Sequence, residues 1–342
     1  MGAQRILMSV RASGTTDMIV QVTVPKTTAD YGVLIPVPSE PTLDSRPVSS
    51  QELDMLDRMT APLIDIPYEE SSGIGCACAG GDDDAPRGPS DGVIVGNTAT
   101  IGPVVAVSLT GDNADAVGAW LTEHGFLLPS SDMETLAQYV GAGNYFIAVR
   151  RSEGDGGTVP EAGIASSGPT SVGIHYTLQG DHRKLSLGFT KMGAPPLLAF
   201  TLFIAAPQAT GPSAPFAAIT LNDLDATMLQ HHAYSDAVRV AVASHGSKAF
   251  VLEGTSLKSN LSSTVGGGIT QFMDDGAVVT RATTVVDRSQ VSDDVVFATP
   301  FSGEIPKRRS ASVSHLGARY ASIGLLGIAA IAHTLRRRGR ER

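Results

Sequence analysis

TTDMIVQVTVPKTTADYGVLIPVPSEP, Thr15 to Pro41, carries the strongest strand signal in the chain. Met18, Val20, Val22 and Val24 fall on every second position, the period of a strand with one face buried, and Pro25 ends the run. Tyr31 to Val37 is a second apolar run rich in β-formers. Pro36, Pro38 and Pro41 close it; a residue without an N–H cannot donate to a ladder, so these prolines suit a sheet edge or an exit from the sheet. Read together, the two runs predict a strand pair across a polar turn.

On the N-terminal side, Gln4 to Val10 reads as another strand. MGAQRILMSVRASG has no basic region followed by the apolar stretch that a secretory signal needs. On the C-terminal side, Ser49 and Glu52 have capping-box spacing, and Leu53, Leu56 and Met59 form a helical stripe that Pro62 stops. Val104 to Leu109 predicts a strand leading into a helix capped by Asp112 or Asn113, with Ala114, Val117, Trp120 and Leu121 inward and Gly125 at its end. Ser131 and Glu134 repeat the capping-box spacing ahead of Leu136, Tyr139 and Val140, and Tyr145 to Val149 is extended again. Further strands are expected at Val172 to Leu178, Leu185 to Phe189, Leu197 to Ala205, Ala249 to Leu252 and Val278 to Val286. A helix is expected over Ser235 to Ser244 with Ala237, Val238, Val240 and Ala241 inward, and Ser259 to Gly268 reads as flexible. Core candidates are Met18, Val20, Val22, Leu53, Leu56, Trp120, Leu121, Tyr139, Phe146 and Phe250.

The composition agrees. Of 342 residues, 42% are hydrophobic and 17% charged, with 37 Gly and 20 Pro but only 5% aromatics, a balance that favours many short strands joined by turns. The expected fold class is α+β and β-rich, with mainly antiparallel sheets, about four short helices on one side or at the ends, and a C-terminal hydrophobic helix. The organisation that follows is a body over residues 1–305 and a tail over 306–342. A Gly, Asp and Ser-rich loop spans 67–92, and Gly154 to Thr170 is a candidate boundary inside the body.

Net charge is −9, unevenly spread. From Lys307 onward there are nine Lys and Arg against Glu341, which leaves 16 bases and 33 acids in residues 1–306, a body at −17. Such a body disfavours nucleic acid as a partner. Tyr320 to Leu335 is a 16-residue uncharged run centred on ASIGLLGIAAIA, with Lys307, Arg308, Arg309 and Arg319 before it and Arg336, Arg337, Arg338, Arg340 and Arg342 after it, the make-up of a membrane segment or of a C-terminal sorting tail. At 1.5 Å per residue it covers about 24 Å against a hydrocarbon core of about 30 Å, so tilt-free spanning needs thinning or snorkelling arginines. A membrane is therefore the expected partner, through residues 320–335, with the Arg-rich end inside and the body extracytoplasmic.

Chemistry is sparse. Cys76 and Cys78 sit one residue apart in GIGCACAGGDDD, too close for an unstrained disulfide, and Asp82, Asp83 and Asp84 lack the alternating ligands and fixed Gly of a calcium loop. These five are weak candidates for metal or redox use beside the plainer reading of free thiols in a solvated acidic loop. Gly88 to Gly92, GPSDG, has the letters of a nucleophile elbow around Ser90 but not the strand and helix that one needs. His124, His175, His182, His231, His232 and His245 are scattered, no phosphate-loop or dinucleotide motif is present, and no cofactor is expected.

The order of segments is familiar. QRILMSV, TTDMIVQVTV, DYGVLIPVPSEPTL, APLIDIP, LTEHGFLLPS, LAQYVGAGNYFIAVR, HAYSDAVRVAVASHGSKAFVLE and VVTRATTVVDRSQVSDDVVFATP resemble, over residues 3–300, the bacterial family of domain of unknown function 2330. The resemblance implies an exported protein with no established catalytic residues. Members usually carry a signal peptide and a Cys-containing stretch ahead of the first strand, so a start upstream of Met1 is expected. The functional expectation is a membrane-tethered extracytoplasmic protein with a structural or binding role. The alternative is a hydrolase or metal-dependent enzyme whose site is assembled from separated loops.

Overall fold

The computed structural model of the protein describes residues 4–24, 32–65, 92–152, 170–192, 195–265 and 267–310. In chain order these form β1 (Gln4–Val10), β2 (Thr15–Val24), β3 (Gly32–Val37), β4 (Thr42–Leu43), β5 (Val48–Ser49), α1 (Ser50–Thr60) and β6 (Leu63–Asp65). Next come β7 (Val93–Ile101), β8 (Val104–Gly111), α2 (Ala114–Glu123), α3 (Met133–Gly141), β9 (Tyr145–Arg151), β10 (Thr170–Gln179), β11 (Lys184–Leu185) and β12 (Leu197–Ala206). The rest are β13 (Gly211–Pro212), β14 (Ala217–Thr220), α4 (Ala226–Gln230), α5 (Tyr234–Ser244), β15 (Ala249–Leu257), α6 (Lys258–Val265), α7 (Gly267–Thr270), β16 (Val278–Asp287), β17 (Val295–Ala298) and β18 (Arg308–Ser310).

Two sheets carry the fold. The larger runs β14-β15-β16-β12-β1-β2-β10-β4, with β5 also on β10, and is antiparallel except where β1 meets β12 and β14 meets β15. The smaller, β3-β9-β8-β7, is antiparallel throughout. The α+β, β-rich and mainly antiparallel class read from the sequence is therefore the observed one.

Alternation along each strand fixes the layers. Ile6, Met8, Val20, Ile174, Leu202 and Ile204 of the large sheet share a core with Ile101, Ala106, Ile147 and Val149 of the small one. Their neighbours Leu7, Ile19 and Phe203 point the other way and are covered by Leu53 and Leu56 of α1, Leu261 of α6, Ile269 of α7, and Phe272. The outer face of the small sheet, through Leu109, Phe146 and Ala148, holds Val117, Trp120 and Leu121 of α2 and Leu136, Tyr139 and Val140 of α3. All ten residues expected in the core are buried.

Local signals account for the helix ends. At α1 the full capping box forms, the Ser49 hydroxyl accepting from the Glu52 N–H while the Glu52 carboxylate accepts from the Ser49 N–H. Asn113 caps α2 by accepting from the Ala116 N–H at 2.8 Å.

Several expectations are corrected. The Thr15–Pro41 stretch is not a strand pair: β2 lies between β1 and β10, while β3 belongs to the other sheet beside β9. Alternation alone marks a strand but does not say which strand it joins. The expected strand over Leu185 to Phe189 shortens to the two residues of β11 before a 3₁₀ turn at Phe189–Lys191. The reading of Ser259 to Gly268 as flexible gives way to α6 and α7, whose Leu261 and Ile269 are buried against the large sheet. Ser131 caps nothing: a 3₁₀ turn over Ser130–Asp132 leads into α3, and the Ser131 hydroxyl bonds Asp132 instead. Val240 is 40% exposed, because Ala237, Val238, Ala241 and Val242 make the inward stripe of α5. Helices number seven among the described residues rather than about four.

The body also reaches past residue 305. β18 pairs in parallel with β6, and the Leu63 N–H donates to the Lys307 carbonyl at 2.8 Å. The remainder of the tail, 311–342, lies outside the described residues, as do the 67–91 loop and 154–169. No helix among the described residues is long and apolar enough to cross a membrane.

Candidate functional site

A cleft of about 1060 Å³ opens where the two sheets part at the N-terminal end of β1. Ile6, Val20, Val22, Tyr176 and Phe200 of the large sheet form its floor, β3 one wall, and Leu121, Phe126 and Leu128 at the end of α2 the roof. Gly32 opens β3 against this roof: a Cβ there would sit 2.3 Å from a Phe126 ring carbon, so only glycine lets strand and ring approach so closely. Arg5, Asp54, Asp132 and Lys184 stand on the lining. Three of these charges are already answered, Arg5 and Asp54 by each other and Lys184 by Asp294 at 2.8 Å, while Asp132 has no ion pair among the described residues. No histidine lines the cleft among the described residues.

Two polar clusters lie elsewhere. On the helix-covered face of the large sheet, β10 places His175 beside Asp17 of β2, and the segment before β5 brings up Asp44. The His175 ring meets Asp17 at 3.0 Å through Nε2 and Asp44 at 3.1 Å through Nδ1. Thr177 donates to Asp17 at 2.8 Å, Arg11 stands 3.5 Å from it, and Phe272 packs on the imidazole with ring centroids 4.1 Å apart. Burial acts to raise the Asp17 carboxyl. The hydrogen bonds from His175 and Thr177 and the charges of His175 and Arg11 outweigh it and hold the group below its ordinary 3.8. Asp44 is held down likewise against burial, by the Arg46 N–H and by His175. With both ring nitrogens committed, His175 has none left to act as a base.

The second cluster is deeper. β15 carries a bulge between Leu252 and Gly254 where its register against β16 shifts, and the extra residue, Glu253, is fully buried. Gly254 takes φ of 146° there, and a Cβ on it would meet Lys307 Cγ at 3.0 Å. Glu253 accepts from the Tyr234 hydroxyl at 2.5 Å and from Arg281 Nε. Arg281 Nη1 also donates to Asp57 of α1, at 2.5 Å to the carboxylate and 2.9 Å to the carbonyl, and to Thr60 at 3.2 Å. Burial acts to lower Arg281, but the charges of Glu253 and Asp57 more than compensate and raise it, while burial and Glu253 together push the Tyr234 hydroxyl far up. Every member is partnered, so the network pins β15, β16, α1 and α5 to one another.

Of the residues singled out from sequence, Cys76, Cys78, Asp82, Asp83, Asp84 and Ser90 lie outside the described residues. No group of three or more His, Cys, Asp or Glu among the described residues is arranged to hold a metal. His124 stacks on Trp120 with centroids 3.9 Å apart, and His231 is the C-cap of α4 with His232 at φ of 57° beside it. The Asp17–Asp44–His175 and Tyr234–Glu253–Arg281 groupings escaped sequence reading because their members are far apart in the chain. One local signal was visible: Glu253-Gly254 interrupts an otherwise apolar β15, the mark of a bulge.

No curated protein matches the chain. A solved structure of a mutated baculovirus P35 after caspase cleavage is similar at 9% identity and a TM-score of 0.29, over 63% of this chain and 75% of that one. The family resemblance read across residues 3–300 is matched over the first part of that span: residues 4–159 match the bacterial family described as DUF2330, uncharacterized protein conserved in bacteria.

Proposed function

We propose that the protein is a binding protein tethered to a membrane by residues 320–335, with its two-sheet body extracytoplasmic and the cleft as its binding surface. The cleft carries the reading: it is large, apolar on floor and roof, and all but one of its rim charges, Asp132, are paired with one another or with neighbours. The contacts of residues 307–309 favour the orientation. Lys307 donates to the Met59 carbonyl at 3.2 Å and Arg309 to the Leu224 carbonyl at 3.3 Å, so both belong to the body. The flanks of the apolar run are then Arg319 alone against Arg336, Arg337, Arg338, Arg340 and Arg342, a clearer positive-inside difference. Truncation after Ser310 keeps β18 and removes the tail. The full chain should stay with the membrane through carbonate extraction and the truncated chain should be released; equal release of both overturns the tether.

A further inference from the structure

We propose that the cleft takes an extended peptide segment with a basic end, which adds as a strand to the free edge of β3. This rests on the reading of the cleft as a binding surface and names the class of its occupant. Five consecutive residues of β3, Gly32 to Pro36, line the cleft. Side chains on a strand alternate between faces, and here they do: Val33 and Ile35 pack into the core between the sheets, Leu34 into the core under the helices. A cavity touching all five in succession therefore meets the strand along its edge. Among the described residues β3 ends its sheet and pairs only with β9, so none of them pairs with that edge.

The chemistry of the edge selects the occupant. A strand edge offers a row of N–H and C=O groups at the strand repeat, which another extended backbone satisfies and an acyl chain does not. Pro36 has no N–H, so the free donors are on alternate residues among Gly32 to Ile35, the other N–H groups facing β9. Arg5 pairs with Asp54 and Lys184 with Asp294, while Asp132 has no ion pair among the described residues, so a basic residue at one end of the peptide answers the charge left on the lining. Five residues of extended peptide span about 17 Å.

The test uses the full chain and a fluorescent decapeptide of alternating valine and threonine between terminal lysines. Two N-methylated forms, one methylated at the odd and one at the even positions, each block one edge of the peptide. Strand addition uses one edge only, so one form should bind at least about tenfold more weakly than the parent and the other like the parent. Amide exchange over Val33 to Ile35 should slow on binding, and Ser186→Trp, which places an indole on the cleft lining, should abolish both effects. If both methylated forms bind like the parent, strand addition is wrong. If palmitate binds in a way that Ser186→Trp blocks while the peptide does not bind, the peptide inference falls and the binding surface stands. If neither binds, both readings fall.

Discussion

Replacing Arg281 by Met is the sharpest perturbation of the body. The substitution keeps an unbranched apolar stem and removes the guanidinium, leaving Glu253 with no exposure and only the Tyr234 hydroxyl as partner. It also deletes the donors to Asp57 and Thr60, though Asp57 keeps Arg5 at 3.3 Å. Stripping one partner from a buried ion pair costs about 3–5 kcal/mol, chiefly because the remaining charge is left uncompensated. The double variant Arg281→Met with Glu253→Met removes that charge, leaving as its main penalty an unpaired Tyr234 hydroxyl at about 1–3 kcal/mol. The second substitution should thus restore stability lost to the first. Urea unfolding followed by tryptophan fluorescence reads this through Trp120, the sole tryptophan and buried. A loss below about 1 kcal/mol for the single variant, or additive losses in the double, refutes the account of Glu253 as a charge held by Arg281.

The carboxylates around His175 set the acid limit. Asp17 and Asp44 titrate lower in the folded chain than their ordinary 3.8, so their contribution is present above that value and lost as pH falls through the folded values. Asp17→Asn should flatten stability against pH below about 4, and an unchanged acid-unfolding profile counts against the cluster. Gly254→Val should cost about 1–3 kcal/mol, because φ of 146° is closed to a β-branched residue and the new Cβ meets Lys307; thermal melts indistinguishable from the parent would contradict that geometry.

How much of this was legible in the sequence depends on the range of the interaction. The capping box at Ser49 and Glu52, the Asn113 cap and the alternation through Met18, Val20 and Val22 are local, and each forms where the spacing places it. The destination of a strand is not local. β2 finds β10 some 150 residues away, with Val20 opposite Ile174, and nothing in the Thr15–Pro41 stretch encodes that choice over pairing with β3. The α6–α7 segment was unreadable for a related reason: KSNLSSTVGGGIT is poor in helix formers, and burial of Leu261 and Ile269 against Phe203 and Val279 supplies what propensity does not. The cleft is less visible still, since its floor, wall and roof come from separate segments that each read as ordinary core.

The placement of the body is tested most directly by protease digestion of intact spheroplasts expressing the full native reading frame with an epitope after Arg342. The account predicts that residues of the 4–310 body are digested without lysis while the epitope-bearing fragment survives in the membrane. A body that resists the protease until the spheroplasts are lysed, and is then digested, contradicts it.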